Sequence, residues 1–175
     1  MILYTPKQRK LRDESIWTIV QGILAPVQFV VFLISLALVV RTLLTGAGYE
    51  LATASIVLKT LILYAIMITG SIWEKVVFGK YLFAEAFFWE DVFSIAVLAL
   101  HTLYLFGLLL TDWSATTLLW VALAAYAAYV INAAQFLVKL RKARLEAANS
   151  TAAIANRSEL YPQATQLSAT RGVGT

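Results

Sequence analysis

The stretch IWTIVQGILAPVQFVVFLISLALVV, residues 16–40, contains no charged side chain. It exceeds the roughly 20 helical residues that cross a bilayer, and it decides the fold class. Three further apolar runs of spanning length follow at about 52–73, 92–110 and 116–138. The first run is too long for a signal-peptide core and is read as a retained anchor. Pro26 lies inside it, which a membrane helix tolerates when neighbouring groups satisfy the freed carbonyl. Gln21 and Gln28 are seven residues apart on one face and are expected to point into a bundle.

Composition agrees with four spans. The chain has 175 residues, 61% hydrophobic and only 14% charged. An average soluble domain carries about a quarter charged residues, so a soluble globule is excluded. Disorder of the whole chain is excluded as well, since it requires low hydrophobicity. The absence of cysteine excludes disulfides, thiolate nucleophiles and iron–sulfur ligation. A single histidine excludes a multi-histidine metal site.

The expected fold is an all-α integral membrane protein, a four-transmembrane-helix bundle in residues 1–145. Residues 146–175 are rich in Ala, Ser, Thr, Asn and Gln and read as a polar, disordered cytoplasmic tail. Basic residues set the expected orientation. Lys7, Arg9, Lys10 and Arg12 precede the first span, Lys75 and Lys80 lie between the second and third, and Lys139, Arg141, Lys142 and Arg144 follow the fourth. The positive-inside rule then puts both termini and the connection between helices two and three on the cytoplasmic side. The formal charge of +4 is thus a topological signal, with attraction to anionic lipid headgroups, rather than a sign of nucleic-acid binding. The connection at 74–91 is crowded with Phe78, Tyr81, Phe83, Phe87, Phe88 and Trp89 and reads as an interfacial segment.

Polar residues inside or against the spans are the candidate functional groups. Lys59 in the second span is open to three readings: a snorkelling lysine, half of a structural pair, or a substrate contact. His101, near the middle of the third span, is a structural histidine, a proton-transfer group or an axial ligand to a metallated pigment. Glu90, Ser94 and His101 form a stripe, with Glu90 and His101 about 16 Å apart along a regular helix at 1.5 Å per residue. Glu74, Glu90 and Asp91 cluster at one membrane edge, within the echo Trp73-Glu74-Lys75-Val76 and Trp89-Glu90-Asp91-Val92. They are either solvated acids beside an aromatic belt or carboxyls of a half-buried site able to donate a proton. Tyr129, Asn132 and Gln135 share one face of the fourth span, for interhelical hydrogen bonds or ligand contact.

The same residues carry a family resemblance. Leu3-Tyr4-Thr5-Pro6-x-Gln8-Arg9 and Trp17-Thr18-x-Val20-Gln21-Gly22-x-Leu24-Ala25-Pro26-x-Gln28-Phe29 resemble the 3-vinyl (bacterio)chlorophyllide hydratase family of phototrophic bacteria. So do Ala54-Ser55-Ile56-Val57-x-Lys59-Thr60, Trp73 through Phe83, and Ala86-Phe87-Phe88-Trp89-Glu90-Asp91-Val92. Leu100-His101-Thr102-x-Tyr104-Leu105 and Asn132-Ala133-Ala134-Gln135-Phe136-Leu137 complete a likeness over about residues 3–145. It implies a small membrane enzyme of bacteriochlorophyll synthesis, in a bacterial cytoplasmic or photosynthetic membrane. It implies water addition to the C3-vinyl group of a chlorophyllide or 3-vinyl bacteriochlorophyllide, giving a 1-hydroxyethyl group. No separate cofactor is needed, because magnesium arrives within the substrate.

For that reaction Glu90 is the first candidate proton donor and Glu74 the alternative. Asp91 is a candidate for orienting water or balancing the developing positive charge, and His101 for accepting the water proton or ligating the substrate magnesium. Lys59, Lys75, Lys80, Phe87, Phe88, Trp89, Asn132 and Gln135 are candidate substrate contacts. Oligomeric state and transient contact with other enzymes of the same synthesis stay open. Two competing readings remain at this point: a non-catalytic pigment carrier or scaffold, and a small transporter using Lys59 and His101 as a polar path.

Overall fold

The protein is described by a computed structural model covering residues 3–160. Five helices follow one another: α1 (Pro6–Glu14), α2 (Ile16–Thr45), α3 (Tyr49–Phe78), α4 (Phe88–Leu110) and α5 (Ala115–Leu160). Helices α2, α3 and α4 and the Ala115–Glu146 part of α5 are long and apolar enough to cross a membrane. The helices outrun the apolar cores read from sequence, because a helix continues past the hydrocarbon wherever its caps allow. Thus α3 keeps its helical form through Trp73 and Glu74 to Phe78, and α4 starts at Phe88. The 74–91 connection contracts accordingly, leaving residues 79–87 between the two helices. Helix α5 is described through Leu160, inside the segment read from composition as a tail; residues 161–175 of that segment lie outside the described residues.

Helix α1 is an addition to the four expected elements. Thr5 and Gln8 form a reciprocal capping box with Pro6 at the first turn, a start signal visible in the sequence. Ser15 then ends α1 and caps α2, its hydroxyl accepting from the Trp17 backbone N–H at 3.3 Å. Gly46 stops α2 in a left-handed conformation at φ 71°, which a residue with a Cβ adopts at a cost.

Residues Tyr4–Phe136 form one compact unit; Leu3 and the described residues from Leu137 onward belong to a second. Within the first unit, α2 turns a seam of Gln28, Phe32, Ser35, Val39 and Thr42 inward. The steps of four and three put all five on one face. Opposite them, α3 buries Ala52, Ile56, Lys59, Thr60 and Leu63, and α4 buries Ser94, Val97, His101, Tyr104 and Gly107. The large aliphatic side chains of Ile19, Ile23, Leu44, Leu61, Leu109 and Leu110 are exposed, as expected of surfaces solvated by lipid.

Gly107 marks the closest approach in this core. A Cβ at that position would run into the Trp113 indole. Gly107→Ala is therefore expected to destabilise the bundle by about 1–3 kcal/mol through overpacking. Adding Trp113→Leu should recover most of that loss in a detergent-solubilised unfolding measurement.

Candidate functional site

The deepest polar feature is a lysine–histidine contact. Lys59 and His101 are both 0% exposed. Lys59 Nζ lies 3.1 Å from His101 Nε2, and His101 Nδ1 lies 2.8 Å from the Val97 carbonyl oxygen. A carbonyl only accepts, so Nδ1 carries the ring proton and Nε2 accepts from Lys59. Lys59 Nζ also sits 4.1 Å from the centroid of the Tyr129 ring, 5.2 Å from Tyr126 and 5.8 Å from Phe32. Three aromatic faces thus supply negative potential where no carboxylate lies at ion-pair distance among the described residues. Lys59 does not snorkel; it is half of a pair. A magnesium ligated at His101 Nε2 would have to displace Lys59.

Beside this pair, Tyr126 and Ser35 share a hydrogen bond of 2.5 Å, and Ser35 reaches Ser55 at 2.7 Å. Toward the end of the bundle where α3 stops and α4 starts, Asn132 Nδ2 donates to Ser94 Oγ at 2.9 Å. Gln21 Nε2 donates to Thr69 Oγ1 at 2.7 Å. Ser35 and Tyr126 are contacts that the sequence reading missed. The regular seam from Gln28 to Thr42 was the signal that could have found Ser35.

The three carboxylates come together at the end where α3 stops. Glu74, Glu90 and Asp91 are all buried. Asp91 Oδ2 accepts the Phe83 backbone N–H at 2.7 Å, and Glu74 Oε2 accepts the next one, Ala84 N–H, at 3.4 Å. Phe83 has a positive φ of 59°, uncommon for a bulky residue. Two carboxylates from different helices thus clip adjacent amides of the connection and hold it in a strained shape. Glu90 is in the same first turn of α4, one turn before Ser94 on the inward face. His101 is far from all three along α4, as helical spacing requires.

The aromatic candidates separate. Phe87 is buried among Trp73, Phe78, Tyr4 and Phe136, with ring centroids 5.6, 5.7, 6.5 and 6.1 Å away. Trp73 is anchored by its indole N–H on Thr18 Oγ1 at 2.9 Å. Phe88 and Trp89 instead face outward, Trp89 at 67% exposure. With Phe83 they form an open aromatic ledge, the Phe83–Phe88 and Phe88–Trp89 centroids lying 5.6 and 5.5 Å apart. Lys75 and Lys80 are exposed at the same end; Lys75 Nζ donates to the Gly79 carbonyl at 2.9 Å and lies 5.1 Å from the Tyr81 ring centroid. Asn132 is buried and Gln135 half-buried on the inward face of α5.

Among the described residues, an all-helical protein with four potential spans, a buried polar core and a buried carboxylate cluster at the same end as an aromatic ledge has the build of a multi-pass membrane enzyme. Comparison with known proteins makes the class specific. The family model described as 2-vinyl bacteriochlorophyllide hydratase matches residues 4–142. A protein of that name from Rhodobacter capsulatus is 63% identical over 150 residues, covering 86% of this chain and 87% of its own. Another from Cereibacter sphaeroides is 65% identical over 144 residues, 82% of this chain and 89% of its own. The chain belongs to the 2-vinyl bacteriochlorophyllide hydratase family. No solved structure matches it.

Proposed function

We propose that this chain hydrates the ring vinyl group of a chlorophyllide or bacteriochlorophyllide to a 1-hydroxyethyl group. The observation that carries the reading is the 63–65% identity, over most of both chains, with proteins named for that reaction. The vinyl numbered 2 in those names and 3 in the resemblance above is one substituent under two ring numberings. The basic residues at both ends and in the α3–α4 connection favour an orientation with that end cytoplasmic, in a bacterial inner or photosynthetic membrane.

Alkene hydration is slow because a proton must be delivered to carbon. Protonating the terminal vinyl carbon leaves a cation on the inner carbon, delocalised into the macrocycle, and water adds there. The Glu90 carboxyl is the proposed acid, with Glu74 as alternative; Asp91 and Glu74 shape the connection over it through the Phe83 and Ala84 amides. Nearby carboxylates stabilise the cationic transition state. The exposed ledge of Phe83, Phe88 and Trp89 offers faces on which the macrocycle stacks. Lys75 or Lys80 pairs with the propionate at the interface. Magnesium enters as part of the substrate, and the reaction as drawn requires no separate cofactor.

Membranes of a non-photosynthetic host expressing the chain should convert a 3-vinyl pigment to a product heavier by one water. Its long-wavelength absorption should shift to the blue as the conjugated vinyl is lost. Folded protein that binds pigment without converting it would instead support a carrier. His101→Gln separates the histidine roles in the same assay. Loss of pigment binding favours magnesium ligation, and loss of turnover with binding retained favours proton transfer.

A further inference from the structure

Three amide side chains in the core leave hydrogen-bonding atoms without protein partners. Gln28 is only 2% exposed, yet neither its Nε2 nor its Oε1 meets a hydrogen-bond partner among the described residues. The same holds for Asn132 Oδ1 and Gln135 Oε1. Each such atom is costly when left unsatisfied, and lipid offers it nothing.

Helical register places these atoms together. On α2 and α5, Ser35 meets Tyr126, and Phe32 meets both Tyr126 and Tyr129. One turn further along both helices, the next inward residues are Gln28 and Asn132. On α4 and α5, His101 meets Tyr126 and Ser94 meets Asn132. One more turn along that pair puts Glu90 level with Gln135. Gln28 therefore shares a layer with the Ser94–Asn132 bond, and Gln135 lies one turn further on, level with Glu90.

We infer that Gln28, Asn132 and Gln135 hold the water molecule that adds to the vinyl group. A buried water needs two to four polar partners, and this set supplies one amide nitrogen as donor and three carbonyl oxygens as acceptors. Carbonyls accepting both water protons leave an oxygen lone pair for carbon. The inference rests on the hydratase reading. The vinyl π pair takes the proton from the Glu90 carboxyl and forms the terminal C–H bond. The water oxygen then forms the C–O bond at the inner carbon, and the proton it sheds returns to the Glu90 carboxylate. One water is consumed, the acid is regenerated and nothing is oxidised or reduced.

The test uses the full chain in lipid nanodiscs with a 3-vinyl bacteriochlorophyllide. The wild type must hydrate it; failure there sinks the hydratase reading itself, whatever holds the water. Gln28→Leu and Asn132→Leu are then compared for pigment affinity and single-turnover hydration. The expected result is unchanged affinity with hydration slowed about a hundredfold, the loss typical of a misplaced reactant. Wild-type rates in both variants, or affinity lost in step with rate, would overturn the assignment. Infrared difference spectra in ¹⁶O and ¹⁸O water, which do not depend on turnover, give a second readout. An isotope-sensitive band of an ordered water should appear in the wild type and vanish in Gln28→Leu. Its absence from the wild type would also overturn the assignment.

Discussion

Glu90→Gln should remove hydration while leaving pigment binding and the fold intact. The amide keeps the size and polarity of the side chain but has no proton to give. General acid catalysis contributes about a hundredfold to ten-thousandfold, and the variant should lose a factor in that range. Glu74→Gln and Asp91→Asn should behave differently. Their carboxylates accept the Ala84 and Phe83 amides, and Phe83 stands at a positive φ of 59°. Weakening either clip should loosen the connection, raising KM and exposing residues 79–87 to protease. Pigment affinity, single-turnover rate and limited proteolysis distinguish the two outcomes. Normal turnover in Glu90→Gln would remove it as donor and bring Glu74 forward.

The second large effect is on stability. His101→Ala takes the acceptor from Lys59 and leaves its amine in the core over the rings of Phe32, Tyr126 and Tyr129. Stranding a buried donor by removing its acceptor costs about 1–3 kcal/mol, and more if the donor is charged. Lys59→Met leaves a neutral ring nitrogen unpaired and should cost about 1–3 kcal/mol. The double variant Lys59→Met with His101→Ala should be less damaging than the sum, because neither group is stranded. Equilibrium unfolding in mixed detergent micelles measures all four. Strictly additive losses would mean that the 3.1 Å contact carries no coupling energy.

These two sites differ in how far the sequence revealed them. The four apolar stretches announced the spans, since length and lack of charge are one-dimensional properties. The inward stripe of Glu90, Ser94 and His101 followed from helical spacing, and the structure buries all three. The start of α1 was carried by capping chemistry alone, in Thr5-Pro6-x-Gln8, and a reading of the apolar pattern passed over it. The partnership of Lys59 with His101 was not legible. It joins positions 42 apart through the mutual rotation of α3 and α4, and hydrophobic periodicity fixes which face is buried but not which residue it meets. For the same reason Phe87, Phe88 and Trp89, neighbours in the chain, could not be sorted into one buried ring and two exposed ones. The boundary of α4 runs between them: Phe87 caps the helix from outside it, while Phe88 and Trp89 lie in its first turn.

The placement of Lys59 and His101 also bears on how the chain enters a bilayer. Lys59 belongs to the α2–α3 hairpin and His101 to the α4–α5 hairpin. Each hairpin inserts with a polar atom, Lys59 Nζ or His101 Nε2, whose hydrogen-bond partner lies in the other half, and the Tyr126 hydroxyl must likewise find Ser35 across the divide. Insertion and assembly are therefore separable stages, the second driven by polar groups that only the complementary half can satisfy. Two fragments cut between α3 and α4 and synthesised together should find one another in the membrane, whereas either alone would remain an unfinished object for quality-control proteases.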